Sequence, residues 1–347
     1  MTTRLKLTGK AGMFVAACVS LVVCASCSGQ EESDTGSVLS DTEIALSLSE
    51  WTPMVLSRAT TLFDDGDKGK LLDEDKGGGN FTVYAQVDAT KQVYMNGVRT
   101  WYFKDAGKWY ILDGDGNQAT YYWTESPLNF FAYMPYDNES NADMKAKTHV
   151  AVNGYSAADG WQFTCKLPAT AGENTDMQEF IYAYEAQKTK KDNPVLLQFK
   201  HPFALINFKV KSGSYRMTVN DIQFSPIHLQ GVFFVENGTW TSTGTSQTYM
   251  AEIGKRIPND VNYNTLLSDW LIVMPQDLTD VQLTLSASRD GAENISKTIT
   301  FESGKEWKPG YQYTYVISCG DNNEEIYFNV EVEEWKIIEY EQDIDVE

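Results

Sequence analysis

From residue 43 onward, apolar and polar positions alternate in short runs separated by Gly, Asp, Asn and Pro. Ile44, Leu46 and Leu48 alternate with Ala45, Ser47 and Ser49. A period of two sets one face of an extended segment on a core and the other in water. β-Branched and aromatic residues crowd into 81–87, 109–112, 121–123 and 130–133, and again into 196–200, 204–210, 270–274 and 281–285. Runs of this size with turn residues between them predict strands along nearly the whole chain, an all-β protein built of sandwiches. One short helix is expected, over residues 260–270. No repeat of fixed period is present.

The most polar interruption is Gln187-Lys-Thr-Lys-Lys-Asp-Asn-Pro194. A charged stretch with proline between two apolar runs predicts a domain boundary. The expected organisation is a signal peptide over 1–26, a flexible tether over 27–42, and β-sandwich domains over 43–192 and 193–347. Both domains are of ordinary size.

The first residues read as an address. Arg4, Lys6 and Lys10 precede an apolar stretch from Ala11 to Val23, too short to span a bilayer and flanked as an export signal is. Ala25 and Ser26 then precede Cys27. The arrangement resembles the lipobox of bacterial lipoproteins, in which the cysteine becomes the first mature residue and carries acyl chains. Cys27 is the expected lipidation site. Cys24 competes, but the Val22-Val23 pair before it is bulky for cleavage subsites. An ordinary secreted protein cleaved near Ala25 is the alternative. Ser28-Gly-Gln-Glu-Glu32 follows, similar to the surface-export signal of Bacteroidetes lipoproteins.

Composition narrows the chemistry. The 347 residues carry 48 acids and 28 bases, a formal charge of −20, and so would repel a phosphate backbone. Nucleic acid is therefore not an expected partner. Three of five cysteines lie within the first 27 residues, and Cys165 and Cys319 alone form no disulfide framework. His149, His201 and His228 are far apart and have no partner at ligand spacing. No serine elbow, phosphate-cradling glycine loop or CxxC is present, so neither catalytic residues nor a metal or cofactor is expected. Asp113-Gly-Asp-Gly-Asn117 begins like a calcium loop, but Gln118 and Thr124 stand where such a loop needs Gly and Glu. Between two strands, Asp-Gly predicts a hairpin turn instead. The tryptophans and tyrosines could form a glycan-stacking platform or fill the cores.

At the C-terminus, Ile338, Tyr340, Gln342, Ile344 and Val346 share one face of a strand and Glu339, Glu341, Asp343, Asp345 and Glu347 the other. Residues 337–347 are either an edge strand of the last domain or a strand meant for another molecule.

Several segments together resemble the fimbrillin family, the type V pilins of Bacteroidetes. They are Leu56-Ser-Arg-Ala-Thr60 with Phe63-Asp-Asp-Gly-Asp67, residues 122–135, Val195-Leu-Leu-Gln-Phe-Lys-His-Pro-Phe-Ala204, Ile272-Val-Met-Pro-Gln276 and Trp307-Lys-Pro-Gly-Tyr-Gln-Tyr-Thr-Tyr315. The resemblance implies two tandem transthyretin-like β-sandwich domains, export as a lipoprotein to the outer membrane, and no enzymatic activity. It also implies assembly into a fimbrium by strand exchange. A trypsin-like protease cuts after an arginine, the first strand leaves, and a neighbouring subunit fills the groove. The matching positions are Arg58 and Ala59 for processing and Ile44, Leu46 and Leu48 for the displaced strand. Ile338, Tyr340, Ile344 and Val346 are the candidate donor strand. The implied partners are other pilus subunits, the protease, the outer membrane through the lipid anchor, and a host protein or glycan. A surface glycan-binding lipoprotein that does not polymerise is the alternative function.

Overall fold

The structure, a computed structural model, describes residues 42–48, 59–60, 80–103, 108–136, 147–172, 177–213, 215–259, 262–290, 294–319 and 326–335. The fold is all-β. The first half contributes β1 (Leu46–Leu48), β2 (Ala59–Thr60), β3 (Asn80–Val87), β4 (Val93–Phe103), β5 (Lys108–Leu112) and β6 (Leu128–Met134). It continues with β7 (Val150–Ser156), β8 (Gly160–Lys166), β9 (Thr170–Gly172), β10 (Met177–Gln178) and β11 (Ile181–Lys188). The second half contributes β12 (Val195–Leu197), β13 (Ala204–Lys211), β14 (Met217–Ile227), β15 (Gln230–Phe234), β16 (Thr239–Ser242), β17 (Gln247–Ile257) and β18 (Asn264–Thr265). Then come β19 (Leu271–Val273), β20 (Gln276–Asp277), β21 (Gln282–Arg289), β22 (Ile295–Thr300), β23 (Glu306–Trp307), β24 (Tyr311–Cys319) and β25 (Ile326–Glu334).

The sheet that bears on function has the order β11-β6-β3-β4-β5. Its strand β6 reads Leu-Asn-Phe-Phe-Ala-Tyr-Met, and all seven residues are buried. A central strand covered on both faces is apolar at nearly every position rather than alternating, and here only Asn129 is polar. Leu128, Phe130, Ala132 and Met134 turn to one core, shared with Phe81, Val83, Ile181 and Ala183. Phe131 and Tyr133 turn to the other, against Trp161, Phe163 and Phe180. That second core is covered by the sheet β16-β15-β8-β7 and continues into the sandwich formed by β22-β21-β14-β17-β9 and β18-β13-β24-β25. There Trp307 donates its indole N–H to the Tyr315 hydroxyl at 2.8 Å, and Phe224 packs on both rings.

Hydrogen-bonded pairs cross position 193: β1 with β12, β8 with β15, β9 with β17, and an antiparallel bridge between Tyr182 and Lys200. The helix expected over 260–270 does not form across the described residues 262–270. Asn264 and Thr265 pair antiparallel with β13, and the Leu266 N–H bonds to the Phe208 carbonyl. Leu266 and Leu267 are both buried, and the buried Asn207 amide donates to the carbonyls of Leu267 and Asp269. Those tertiary hydrogen bonds hold the backbone extended and outweigh a helical propensity that is weak in so short a segment. At 113–117 the chain forms a tight turn. The Asp113 carboxylate accepts the N–H groups of Asp115 and Asn117, both at 2.9 Å, and Asp113 N–H bonds to the Asn117 carbonyl. Asx geometry of this kind is why Asp opens such turns.

Candidate functional site

The first strand lies in a seat with two edges. On one edge, Leu46, Ser47 and Leu48 pair in parallel with Val195, Leu196 and Leu197. On the other, Glu43 bridges Tyr122 in antiparallel fashion. Ile44 N–H donates to the Tyr121 carbonyl at 2.7 Å, and Trp123 N–H donates to the Thr42 carbonyl at 3.1 Å. Ile44 and Leu46 are buried and Leu48 is half-buried against the core that holds Trp123, Val195, Leu197 and Phe199. Ala45 faces outward. The alternation seen in the sequence is thus realised as an apolar face on a core and a polar face in solvent.

Side chains complete both edges where the backbone alone does not. Pro194 has no N–H, so the ladder along β12 cannot continue through it. The Asn193 amide takes over, accepting from Ala45 N–H at 2.8 Å and donating to the Glu43 carbonyl at 3.0 Å. Val195 N–H then bonds to the Ala45 carbonyl at 2.8 Å. Asn193 is held in place by a short 3₁₀ turn over Lys190–Asp192, closed by a reciprocal capping box between Thr189 and Asp192. Hydrogen bonds from the Thr189 backbone and hydroxyl keep the Asp192 carboxyl below its ordinary pKa. Lys190 and Lys191 stand exposed on this turn. On the opposite edge, the Tyr94 hydroxyl donates to the Tyr122 carbonyl at 2.8 Å and accepts its N–H at 3.2 Å. Tyr94 thereby occupies the backbone groups of Tyr122 that point away from the first strand, leaving Tyr121 and Trp123 to face it.

Among the expected site residues, Ile44, Leu46 and Leu48 come together in this seat. Ala59 and Thr60 form β2, paired in parallel with Met177 and Gln178. Cys27, Arg58, Ile338, Tyr340, Ile344 and Val346 lie outside the described residues. The last described residue, Trp335, is buried and stacks on His201 with ring centroids 3.7 Å apart and planes at 13°. Glu179 Oε1 lies 2.5 Å from His201 Nδ1. Among the described residues, no group of three His, Cys, Asp or Glu side chains could hold a metal ion, and no helix is long and apolar enough to cross a membrane. Cys165 and Cys319 are free and buried; burial pushes both thiols up, Cys319 to about 11. Sequence reasoning missed Asn193 and Tyr94. Asn193 carried a signal, since it sits in the polar break, but Asn-Pro there read only as a boundary.

The fold and the seat of the first strand bear comparison with known proteins. Residues 73–335 match the family model described as fimbrillin-like. The crystal structure of a fimbrial protein from Bacteroides vulgatus is similar at a TM-score of 0.58, with 16% identity over 85% of this chain and 99% of that one. That of a cell adhesion candidate from Bacteroides uniformis is similar at 0.50, with 17% identity and the same coverage. No curated protein matches significantly.

Proposed function

We propose a function from one premise: this chain belongs to the fimbrillin-like family. It serves adhesion at the cell surface as a structural subunit or accessory protein of a pilus, with no enzymatic role. It travels as a lipoprotein anchored in the outer membrane through Cys27. Its first strand is a placeholder, removed by cleavage after Arg58 and replaced by residues 337–347 of another subunit.

The observation that carries this reading is the two-edged seat of residues 42–48. While the strand remains covalently attached through residues 49–79, its docking carries no cost of association. After a cut it must hold by its own contacts. Ile44 and Leu46 contribute roughly 1.5–3 kcal/mol each by burial, against an association cost of about 4–15 kcal/mol. A cut strand of this length is therefore exchangeable. Its departure would leave the Tyr121 carbonyl, the Trp123 and Val195 N–H groups and the Asn193 amide unpaired above an apolar trough. Such an open edge favours capture of another strand. The tail offers apolar or amphipathic residues at four alternate positions, Ile338, Tyr340, Ile344 and Val346, where the first strand offers three.

The test is limited trypsin treatment of the purified precursor. Arg58 is the sole Lys or Arg between Cys27 and Ala59. The expected product begins at Ala59 and forms oligomer ladders that resist mild detergent, and deletion of 337–347 abolishes the ladders. If the cleaved protein stays monomeric, or the deletion variant polymerises equally well, strand exchange is wrong. A non-polymerising glycan-binding lipoprotein then becomes the better account.

A further inference from the structure

The sheet β16-β15-β8-β7 turns one face to the larger core. Its other face carries an open cavity of about 480 Å³, lined in part by His149, Ala151, Thr164, Lys166, Gln230 and Thr243. Strand parity builds it. Along β8, Trp161, Phe163 and Cys165 are buried, and Thr164 and Lys166 alternate with them on the outer face. Gln230 stands directly opposite Lys166, and Ala151 directly opposite Thr164. A methyl group at Ala151 leaves the face hollow there. His149 and Thr243 close the ends: Lys166 N–H donates to the His149 carbonyl at 3.0 Å, and Thr243 N–H to the Gln230 carbonyl at 2.8 Å. His149 sits at φ 56°, in the left-handed region that a residue other than glycine enters at a cost.

Four polar groups of this cavity are available to a ligand. The His149 imidazole, Lys166 ammonium, Gln230 amide and Thr243 hydroxyl make no hydrogen bond or ion pair with another described residue. Burial lowers the His149 pKa, so at neutral pH the ring is an uncharged donor and acceptor. The charge comes from Lys166. Of 347 residues 48 are acidic, yet 147–153, 164–170, 227–232 and 241–249, the stretches that surround the cavity, contain no Asp or Glu. A cationic hollow on an anionic molecule suits a ligand with one negative charge beside several hydroxyls. We infer that the cavity binds an acidic sugar residue, with its carboxylate on Lys166 and its hydroxyls on Gln230, Thr243 and His149. The volume falls within the roughly 300–1,000 Å³ of small-molecule sites, more than a lone inorganic anion fills. No Phe, Tyr or Trp is among the described lining residues, so a nucleotide base finds no wall to stack on. The inference rests on the adhesion reading for its use and goes beyond strand exchange, because none of these groups belongs to the seat of the first strand.

Calorimetric titration of the full, uncleaved chain tests the site. The probes are sialyllactose, for a sialylated glycan, and a glucuronate-containing hyaluronan disaccharide, for a uronate polysaccharide. The methyl ester of each is its uncharged counterpart. At least one acid should bind, which identifies the source, and its ester should bind about tenfold more weakly through loss of a charge-assisted contact. Lys166→Met keeps the aliphatic stem and should weaken the acid about tenfold while leaving the ester where it is. Ala151→Leu, which fills the hollow, should abolish binding of both. Both substitutions lie on the outer face, so the melting temperature should equal that of wild type. Binding of neither acid, an ester that binds as tightly as its acid, or a Lys166→Met chain that binds as wild type would overturn the site. Inorganic phosphate that displaces the sugar at equal concentration would overturn it too, since an anion alone would then suffice. The acid, ester and phosphate arms use the wild-type chain and decide even if a substituted chain does not fold. The oligomer ladders after trypsin and this titration succeed or fail separately.

Discussion

The side-chain carbonyl of Asn193 accepts the backbone N–H of Ala45 at 2.8 Å, across 148 positions of sequence. With the bond back to the Glu43 carbonyl, one amide stands in for a peptide unit that Pro194 cannot supply. It reads backbone alone, so it grips the first strand or a replacement alike. Asn193→Ala should destabilise the uncleaved chain by about 1–3 kcal/mol, two hydrogen bonds' worth. Urea denaturation measures this. An unchanged midpoint would mean that the amide holds nothing.

The buried side chains of the first strand make a prediction that depends on cleavage. Leu46→Ala should cost about 2–5 kcal/mol in the intact chain, as for other large-to-small changes in a core. In a nicked chain from which the strand has been washed, the substituted residue is gone and the melting temperature should equal that of wild type. A deficit that survives removal of the strand would place the effect elsewhere.

Trp335 is the last described residue and is anchored in the fold. Its indole lies on His201, and its backbone N–H bonds to the Gly310 carbonyl at 2.7 Å. Truncation after Trp335 should leave thermal stability unchanged. Truncation after Glu334, one residue shorter, should remove a buried aromatic and cost about 3–5 kcal/mol. Calorimetry of the two chains separates them, and equal melting temperatures would contradict the anchoring role.

The turn at Asp113 uses its carboxylate on the chain's own N–H groups. Asp113→Ala should lower stability by about 1 kcal/mol, whereas Asp113→Asn keeps the accepting oxygen and most of the stability. Added calcium or a chelator should leave the melting temperature of wild type where it is. A shift of several degrees with calcium would reassign the segment as a cation loop.

The proposed lipidation of Cys27 predicts a change of compartment. Cys27→Ala should move the protein from the membrane fraction to the soluble one and remove the mass of the acyl chains. Unchanged partition with unchanged mass would point to Cys24.

What the sequence determined by itself is local. Period-two alternation at Ile44, Leu46 and Leu48 marked a strand with one buried face, because side-chain direction in a strand depends only on parity. The aromatic run of 130–133 marked a strand, and Asp113-Gly-Asp-Gly marked a turn through chemistry confined to five residues. Family membership was legible in short segments spread over most of the chain. Tertiary structure alone decided which strand meets which. It seats residues 42–48 between Tyr121–Trp123 and Asn193–Leu197, partners about 80 and 150 positions away that no local periodicity encodes. It also overrode the helix expected near 264, because long-range bonds to β13 outweigh local propensity. Asn193 and Tyr94 became visible only there, since the role of a polar group in an edge depends on the backbone brought opposite it.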